Sequence, residues 1–378
     1  MKPARENNFI QKFMWVLNVL AFAGLLFSIL AEYISPVHVW WLAIFGLLFS
    51  FFFLLNLVFV IYWLIVGKKK YLLSLILVIA GLGKLPGIYQ LRPKSSSAKI
   101  ITTDTSAFKI MSFNVRLFDL YNWFHNTQTR RKIFHFLQEE SPDVICFQEF
   151  YSSDKKPRNF KNDIALNEVL QAGYRHVEYT VTLHDSDHWG IATYSRFPII
   201  NRRAVHFQKH GGNIFIYSDI VFGKDTIRVF NTHLESVRFL REDYKFIQNL
   251  GNDDVEQDEM KGSLNIIRRL RRAFIKRAVQ VEVLHDTMNA SPYPVILCGD
   301  FNDTPTSYTY HILHDDLHDA FRESGHGWGK TYRGPFPSFR IDYIFHSSGM
   351  YSSNFRTIHE ELSEHFPVSC ELRLEKPK

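Results

Sequence analysis

The chain has 378 residues, 46% of them hydrophobic and 22% charged, with a formal net charge of +6. Because much of the positive charge lies beside apolar segments, it does not by itself indicate a nucleic-acid-binding surface. The three cysteines lie far apart without CxxC spacing, which argues against a disulfide framework or a cysteine zinc site and predicts buried strand thiols: Cys146, Cys298 and Cys370.

Apolar residues dominate the N-terminal part of the chain, from residue 13 to residue 91. The runs 13–31 and 39–66 are each long enough to cross a bilayer core as a helix, which takes about 20 residues. A third run, 71–91, is apolar through Gly83 but then contains Lys84 and Pro86. The first run lacks a small-residue cleavage site, so a cleaved signal peptide is not expected. We therefore predict that residues 1–91 are a membrane anchor of two or three transmembrane helices in the lipid bilayer.

Basic residues flank these apolar runs unevenly. They precede the first run and follow the second, whereas residues 32–38 between the two runs contain no Lys or Arg. The positive-inside rule places both basic clusters in the cytoplasm: Lys2, Arg5 and Lys12, and then Lys68, Lys69 and Lys70. Three spans would put the rest of the chain outside the cytoplasmic membrane, and two spans would leave it in the cytoplasm. We favour three.

The polar, Ser/Thr-rich stretch 92–107 is typical of a linker, and the composition beyond it is that of a globular domain, over residues 108–374. Short β-rich runs there alternate with helical patterns, which predicts a mixed α/β domain. The predicted strands are 108–115, 144–148, 190–194, 214–221, 226–231, 295–298 and 341–345. Helices are predicted over 129–140 and 264–285. The second should bury an apolar stripe in the core: Ile267, Leu270, Phe274, Ala278, Val281 and Leu284.

Polar side chains recur where these predicted strands end. Asn114 lies at the end of the first strand, and Gln148 and Glu149 at the end of the second. Later runs lead into a further set: Asn231, His233, Asp300, Asn302, Asp342, Glu364 and His365. Such strand ends line active-site clefts. Since oxygen donors suit Mg²⁺ or Mn²⁺, the pattern indicates a cleft for metal and phosphate chemistry.

Eight short blocks follow one another in a fixed order: MSFNVR, ICFQEF, GIATYSRFPI, NTHL, RAVQ, GDFNDTP, RIDYIF and SEHFPV. In content and order they resemble the signature of the endonuclease/exonuclease/phosphatase superfamily, which includes DNase I-like nucleases, abasic-site endonucleases, inositol-polyphosphate phosphatases and neutral sphingomyelinases. The resemblance covers about residues 108–374. It implies a four-layered α/β sandwich with two mixed β-sheets packed face to face and helices outside, preceded here by the transmembrane helices.

The resemblance also implies a set of metal ligands for Mg²⁺ or Mn²⁺. Glu149 resembles the principal ligand, and Asn114 belongs to the same cluster. The family usually has Asp-His before its final strand, whereas this chain has Glu364 and His365. Glu364 is therefore expected as a ligand, with direct binding, binding through water and no binding all left open.

The catalytic residues that the resemblance implies are five. Asp300 and Asn302 would position the attacking water and contact the scissile phosphate. Asp342 would hold His365, and His233 would supply a second imidazole at the phosphate. The implied reaction is metal-assisted attack of water, without a covalent enzyme intermediate.

The second predicted helix carries two further features. Arg277 and Gln280 match a recurring R-x-x-Q pattern, share a helix face and are expected to brace the helix. A basic run flanks the apolar stripe and is expected to be a solvated face, with binding of anionic lipid head groups as the alternative: Arg268, Arg269, Arg271, Arg272 and Lys276.

Three functions are consistent with these residues. The first is an endonuclease-like phosphoesterase that hydrolyses nucleic acid, and the second is a sphingomyelinase-like phosphodiesterase for a phospholipid head group or a small molecule. The third is a non-catalytic, membrane-tethered binding protein, which is disfavoured because the whole catalytic set is present. No obligate protein partner is predicted, and the membrane anchor favours substrates at or outside the membrane.

Overall fold

The computed structural model describes residues 4–91, 107–155, 160–208, 212–238, 256–334 and 339–375. The predicted linker, 92–107, lies outside the described residues except for Ala107, which begins a strand. Strands and helices are numbered below in chain order.

Two six-stranded sheets form the centre of the C-terminal domain. In spatial order, the first contains β13 (Met350–Thr357), β14 (Val368–Leu374), β2 (Ala107–Asn114), β3 (Val144–Ser153), β5 (Asp187–Ser195) and β4 (Tyr174–Leu183). The second contains β10 (His318–Asp319), β12 (Asp342–His346), β9 (Val295–Asp300), β8 (Asp225–His233), β7 (Ile214–Phe222) and β6 (Ile199–His206). Both sheets are mixed, because β2 runs parallel to β3 and β8 runs parallel to β9 while the other pairs are antiparallel.

Successive side chains along a strand point to opposite faces of its sheet, and this alternation explains how the sheets and helices form layers. Ile110 packs between the two sheets, whereas its neighbour Met111 packs on the outer face with the helices, as the two-residue period of a strand requires. All three cysteines are unpaired and buried in the layer between the sheets, as predicted.

Helices cover both outer faces. The first sheet is covered by α6 (Thr129–Glu140) and α7 (Asn162–Val169), and the second by α8 (Glu256–Asn289) and α9 (Tyr308–Asp316), whereas the short α10 (Ala320–Ser324) packs Ala320 and Phe321 into the layer between the sheets. The predicted helix 129–140 is confirmed, and 264–285 lies inside the longer α8. The result is the expected four-layered α/β sandwich with two mixed sheets.

The apolar stripe of α8 does not lie wholly in the core, and that expectation is wrong for its N-terminal half. Ala278, Val281 and Leu284 are buried, whereas Ile267 is 40% exposed and Leu270 is only half-buried. Leu270 and Phe274 line a cavity instead of packing only against strands.

The N-terminal residues form a helical bundle of α1 (Ala4–Leu30), α4 (Phe49–Ile65) and α5 (Tyr71–Gly81), with α2 (Pro36–Val39) and α3 (Leu42–Leu47) between the first two long helices. The run 39–66 is thus not one helix, because the backbone leaves helical geometry at Leu48 (φ −95°, ψ 12°). The run 71–91 continues after α5 as a 3-10 turn, Leu82–Gly87, which contains Pro86. Among the described residues, Phe9–Leu30 is long and apolar enough to cross a membrane, and Phe49–Ile65 and Tyr71–Gly87 are shorter apolar helices.

The bundle is attached directly to the sandwich. Strand β1 (Tyr89–Gln90) pairs with β11 (Gly327–Trp328), and Arg340 Nε donates to the Gly87 carbonyl at 2.9 Å. Thr306 Oγ1 donates to the Gly46 carbonyl at 2.9 Å, where a Cβ on residue 46 would lie 2.9 Å from the Thr306 carbonyl oxygen. Only glycine allows this approach, which holds α3 against the ends of the second sheet.

Candidate active site

Asp300 and His233 are neighbours because β8 and β9 run parallel and end together, with these two residues in register. Asp300 is buried, and its Oδ1 accepts the Asn302 backbone N–H at 2.9 Å. Asn302 adopts a left-handed conformation (φ 53°) and its Nδ2 donates to the Leu234 carbonyl at 3.1 Å. The turn after β9 thereby fixes the Asp300 carboxylate at the end of the strand.

Asp342 and His365 form a buried carboxylate–imidazole pair beside Asp300. Antiparallel pairing of β12 with β9 sets Asp342 opposite Asp300. The two Asp342 carboxylate oxygens lie 3.1 and 3.0 Å from His365 Nδ1, and His365 Nε2 lies 3.7 Å from Asp300 Oδ2. Burial alone lowers the pKa of His365, but the charges of Asp342 and Asp300 outweigh it and raise that pKa well above its ordinary value. The imidazole therefore holds a proton on the side of Asp342.

Glu149 reaches the same place through a β-bulge. The register of β3 against β5 shifts between Phe147 and Phe150, and Glu149 adopts φ 47°, which a non-glycine residue adopts only when surrounding structure enforces it. Glu149 Oε1 lies 3.8 Å, and Asp300 Oδ2 3.6 Å, from His233 Nε2. Among the described residues, that buried nitrogen has no hydrogen-bond partner. It is directed into the space between the two carboxylates.

Asn114 and Glu364 complete the cluster, with Arg116 between them. Asn114 Nδ2 donates to Asp300 Oδ2 at 3.0 Å, while its Oδ1 accepts the Arg116 backbone N–H at 3.0 Å. Arg116 Nη1 lies 2.6 Å from Glu364 Oε1. Burial raises the pKa of Glu364 above its ordinary value, although Arg116 and His365 oppose this shift. Arg116, which adopts φ 43°, was not predicted from the sequence, since its pairing depends on a partner 248 residues away.

All eight predicted site residues lie around one cavity or contact a residue that lines it. Those that line the cavity directly are Glu149, Asp300, Asn302, Glu364 and His365, together with Arg116. Asn114, His233 and Asp342 each contact or closely approach Asp300 or His365 from behind. The cavity has a volume of about 360 Å³. Apolar side chains also line it, including Leu47 from the N-terminal bundle.

Two of the other strand-end polar residues do not reach the cavity. Gln148 Nε2 donates to Asn231 Oδ1 at 2.7 Å, and Asn231 Nδ2 donates to the Ala192 carbonyl at 2.9 Å. Both side chains are fully buried between the sheets. They connect the two sheets behind the cavity, so their position at strand ends serves the scaffold.

Arg277 and Gln280 brace the loop after β8, which agrees with the structural interpretation of R-x-x-Q. Arg277 Nε donates to Asp303 Oδ2 at 3.0 Å and its Nη1 donates to the Glu235 carbonyl at 2.9 Å. Gln280 Oε1 accepts the Glu235 backbone N–H at 2.8 Å. These bonds fix α8 relative to the strand ends that carry His233 and Asp300.

Comparison with known proteins agrees with this geometry. Residues 111–365 match the Endonuclease/Exonuclease/phosphatase family, and residues 11–87 match a domain of unknown function, DUF8431. An endonuclease/exonuclease/phosphatase from Beutenbergia cavernae is 18% identical, with a TM-score of 0.51 over 71% of this chain and 72% of that one. A family protein from Bacteroides thetaiotaomicron is 16% identical, with a TM-score of 0.51 over 72% of this chain and 99% of that one. These likenesses show the fold, and no curated protein matches the chain.

Proposed function

The chain belongs to the Endonuclease/Exonuclease/phosphatase family and is a hydrolase of phosphoester bonds, and from this premise we propose that it is a membrane-anchored phosphoesterase dependent on Mg²⁺ or Mn²⁺. The observation that carries the proposal is the convergence of Glu149, Asp300 and His365 on one cavity. Family membership as an enzyme removes the alternative of a non-catalytic binding protein.

The donor set fits a hard divalent cation. The family is generally dependent on divalent metals, and Asp300, Asp342 and His365 offer ligand atoms within 4.8 Å of one another. Because His365 already engages Asp342, we assign the cation to the oxygen donors on the other side of Asp300: Glu149, with Asn114 and Glu364. The unpartnered His233 Nε2 beside Glu149 is consistent with a charged group bound there. When bound, the cation would neutralise negative charge that develops on the phosphoryl oxygens.

The side chains around Asp300 handle the water and the protons. Asp300, held by Asn114 and Asn302, accepts a hydrogen bond from the attacking water and orients it toward phosphorus. Protonated His365, oriented by Asp342, donates to a phosphoryl oxygen, and His233 contacts the phosphate from the side of Glu149. The substrate class is a phosphodiester or phosphomonoester, nucleic acid or phospholipid head group.

The N-terminal bundle has the inside-out polarity of a membrane protein, which supports the anchor. Large apolar side chains on its outer surface are exposed, including Leu20 (62%), Val58 (58%) and Ile76 (65%). Its interior instead contains Asn18 and Asn56, fully buried; Asn18 Oδ1 accepts from Trp63 Nε1 at 2.9 Å. Buried amides with apolar exteriors are typical of helices packed in lipid.

The arrangement of the bundle is consistent with three spans and an extracytoplasmic catalytic domain. Lys70 Nζ lies 4.8 Å from the ring centre of Trp15 and 4.7 Å from that of Trp63, so the two predicted cytoplasmic basic clusters share one end of the bundle. The sandwich contacts the opposite end, through Gly46 and Gly87. In this topology the protein acts on substrates at the extracytoplasmic face of the cytoplasmic membrane.

Hydrolysis of bis-p-nitrophenyl phosphate by the purified full chain tests the activity. We expect turnover with Mg²⁺ or Mn²⁺, loss with EDTA, and loss in Asp300→Asn and His365→Gln. Turnover that EDTA leaves intact would contradict the metal dependence, and full activity in both variants would contradict the assigned site.

Topology is tested by a cysteine introduced at the exposed Lys224, because the three native cysteines are buried. We expect a membrane-impermeant maleimide to label Lys224→Cys in intact cells. Labelling only after lysis would instead place the catalytic domain in the cytoplasm, as two spans require.

A further inference from the structure

The cavity has two chemically different walls. The acidic and basic residues of the site line it together with seven apolar side chains: Leu47, Val237, Ile266, Leu270, Phe274, Phe339 and Ile341. Four of these form the apolar wall, Leu47 from the N-terminal bundle and Ile266, Leu270 and Phe274 from α8. A site for water and phosphate alone needs no such wall, since both ligands are strongly hydrated. The apolar wall therefore indicates a substrate with an apolar part as well as a phosphate.

Helix periodicity explains three members of this wall. Ile266, Leu270 and Phe274 recur at intervals of four residues, so they form one row on α8. The same helix is fixed by Arg277, which follows Phe274 by less than one turn and binds Asp303 and the Glu235 carbonyl. The row thus has a defined position in the cavity lining, with Ile266 and Leu270 only half-buried.

The fourth member, Leu47, comes from the N-terminal bundle. It is the last residue of α3, whose Gly46 is clamped against Thr306. The preceding residues have the character of a membrane interface, since Trp41 is 42% exposed and Arg271 of α8 lies over the ring of Trp40 at 5.7 Å. The N-terminal bundle therefore contributes a side chain to the apolar lining of the cavity, a few residues after two tryptophans.

We propose that the N-terminal segment completes the substrate cavity through Leu47, and that the cavity selects phosphoesters that carry an apolar chain, taken up from the bilayer. The apolar chain of the substrate lies along Leu47 and the α8 row while the phosphate lies at Asp300 and His365, and Arg238 also lines the cavity. This inference rests on the proposed function. The reaction is hydrolysis: the water oxygen bonds to phosphorus and gives up a proton through Asp300, the bond from phosphorus to the leaving oxygen breaks, and the leaving oxygen keeps the electron pair.

Two synthetic diesters test the proposal, ethyl p-nitrophenyl phosphate and dodecyl p-nitrophenyl phosphate. They share charge and leaving group and differ only in the alkyl chain. The full chain in dodecyl maltoside micelles is compared with Leu47→Gln and Leu270→Gln, which alter the wall without removing a core side chain. Ile267→Gln is the matched control, because Ile267 neighbours the row on α8 but is 40% exposed and does not line the cavity.

We expect each wall variant to lower kcat/KM for the dodecyl ester by about tenfold, equivalent to about 1.4 kcal/mol, while kcat/KM for the ethyl ester stays within about twofold of wild type. Ile267→Gln should leave both values unchanged. Partition of the dodecyl ester into micelles is the same for every variant, so only contact with the wall explains the difference.

Equal kcat/KM for the dodecyl ester in wild type and both wall variants would overturn the inference and leave the proposed function intact. An equal loss of kcat/KM for both esters would also overturn it, because the substitutions would then act on the phosphate site and not on binding of the alkyl chain. Hydrolysis of neither ester by the wild-type protein with Mg²⁺ or Mn²⁺ would overturn the proposed function itself, and the inference with it.

Discussion

Replacing Asp342 with Asn separates the charge of this residue from its shape. The amide is isosteric with the carboxylate and can still accept from His365 Nδ1, which lies 3.0 Å from Asp342 Oδ2. What the variant loses is the charge assistance of a buried hydrogen bond. Hydrogen bonds to charged groups contribute about 1.5–3 kcal/mol, so transition-state stabilisation should fall by that amount and kcat by about ten- to a hundredfold.

The pKa of His365 should fall in the same variant, because Asp342 is the largest charge that raises it. The imidazole would then lose its proton at lower pH, and the alkaline limb of the activity profile should move to lower pH. KM should change little, since Asp342 does not line the cavity. The assay is the rate of bis-p-nitrophenyl phosphate hydrolysis by the full-length protein between pH 5 and pH 10. This range includes the ordinary pKa of histidine, 6.5, and extends to the raised pKa of His365, about 10.

A second carboxylate–histidine pair at the other end of β12 provides the matched control. His346 Nε2 lies 3.0 Å from Glu323 Oε2, and neither residue lines the cavity. Glu323→Gln should affect stability without changing kcat. Activity of Asp342→Asn within about twofold of wild type, or an equal loss in Glu323→Gln, would refute the assignment of Asp342 to orienting His365.

Three further predictions follow from the contacts around the site and the core. Glu149→Gln should raise the Mg²⁺ concentration for half-maximal activity by at least tenfold, about 1.4 kcal/mol. Glu364→Gln should raise it much less, because Arg116 already neutralises Glu364. A larger effect of Glu364→Gln than of Glu149→Gln in a Mg²⁺ titration would contradict this ranking. Burial lowers the pKa of His176 to about 4, with Arg202 adding to the shift, so the unfolded state binds the extra proton and the sandwich should lose up to about 3 kcal/mol of stability as pH falls from 6.5 to 4. Thermal melts should show this loss largely removed in His176→Gln, and an unchanged pH dependence would exclude His176 as its source. Arg277→Met should lower stability by about 3–5 kcal/mol, because it leaves the buried Asp303 carboxylate without its ion pair; denaturant unfolding that shows less than about 1 kcal/mol would mean that water replaces the guanidinium.

The sequence alone predicted a set of site residues that the structure places around one cavity, because they lie at the ends of strands that a hydrophobic pattern reveals. Parallel strands that follow one another along the chain end at the same edge, so Asn114 lies in register with Gln148, next to Glu149, and His233 lies in register with Asp300. The ordered blocks added the family and its fold. The strands that escaped prediction, such as β4, β6 and β13, lie at sheet edges and carry many polar residues, which weakens the two-residue period.

Only the tertiary structure shows which distant segment, core or cavity lies against a given face of a helix or strand. Periodicity showed that α8 has an apolar row, but only packing showed that Leu270 meets a cavity while Leu284 meets the core. The same holds for Gln148, which bridges to the other sheet, and for Arg116, which pairs with Glu364. Leu47 lines the same cavity as Leu270, although the two residues are 223 positions apart in the chain. A local pattern determines which side chains share a surface, whereas the partner of that surface is determined by how distant segments pack.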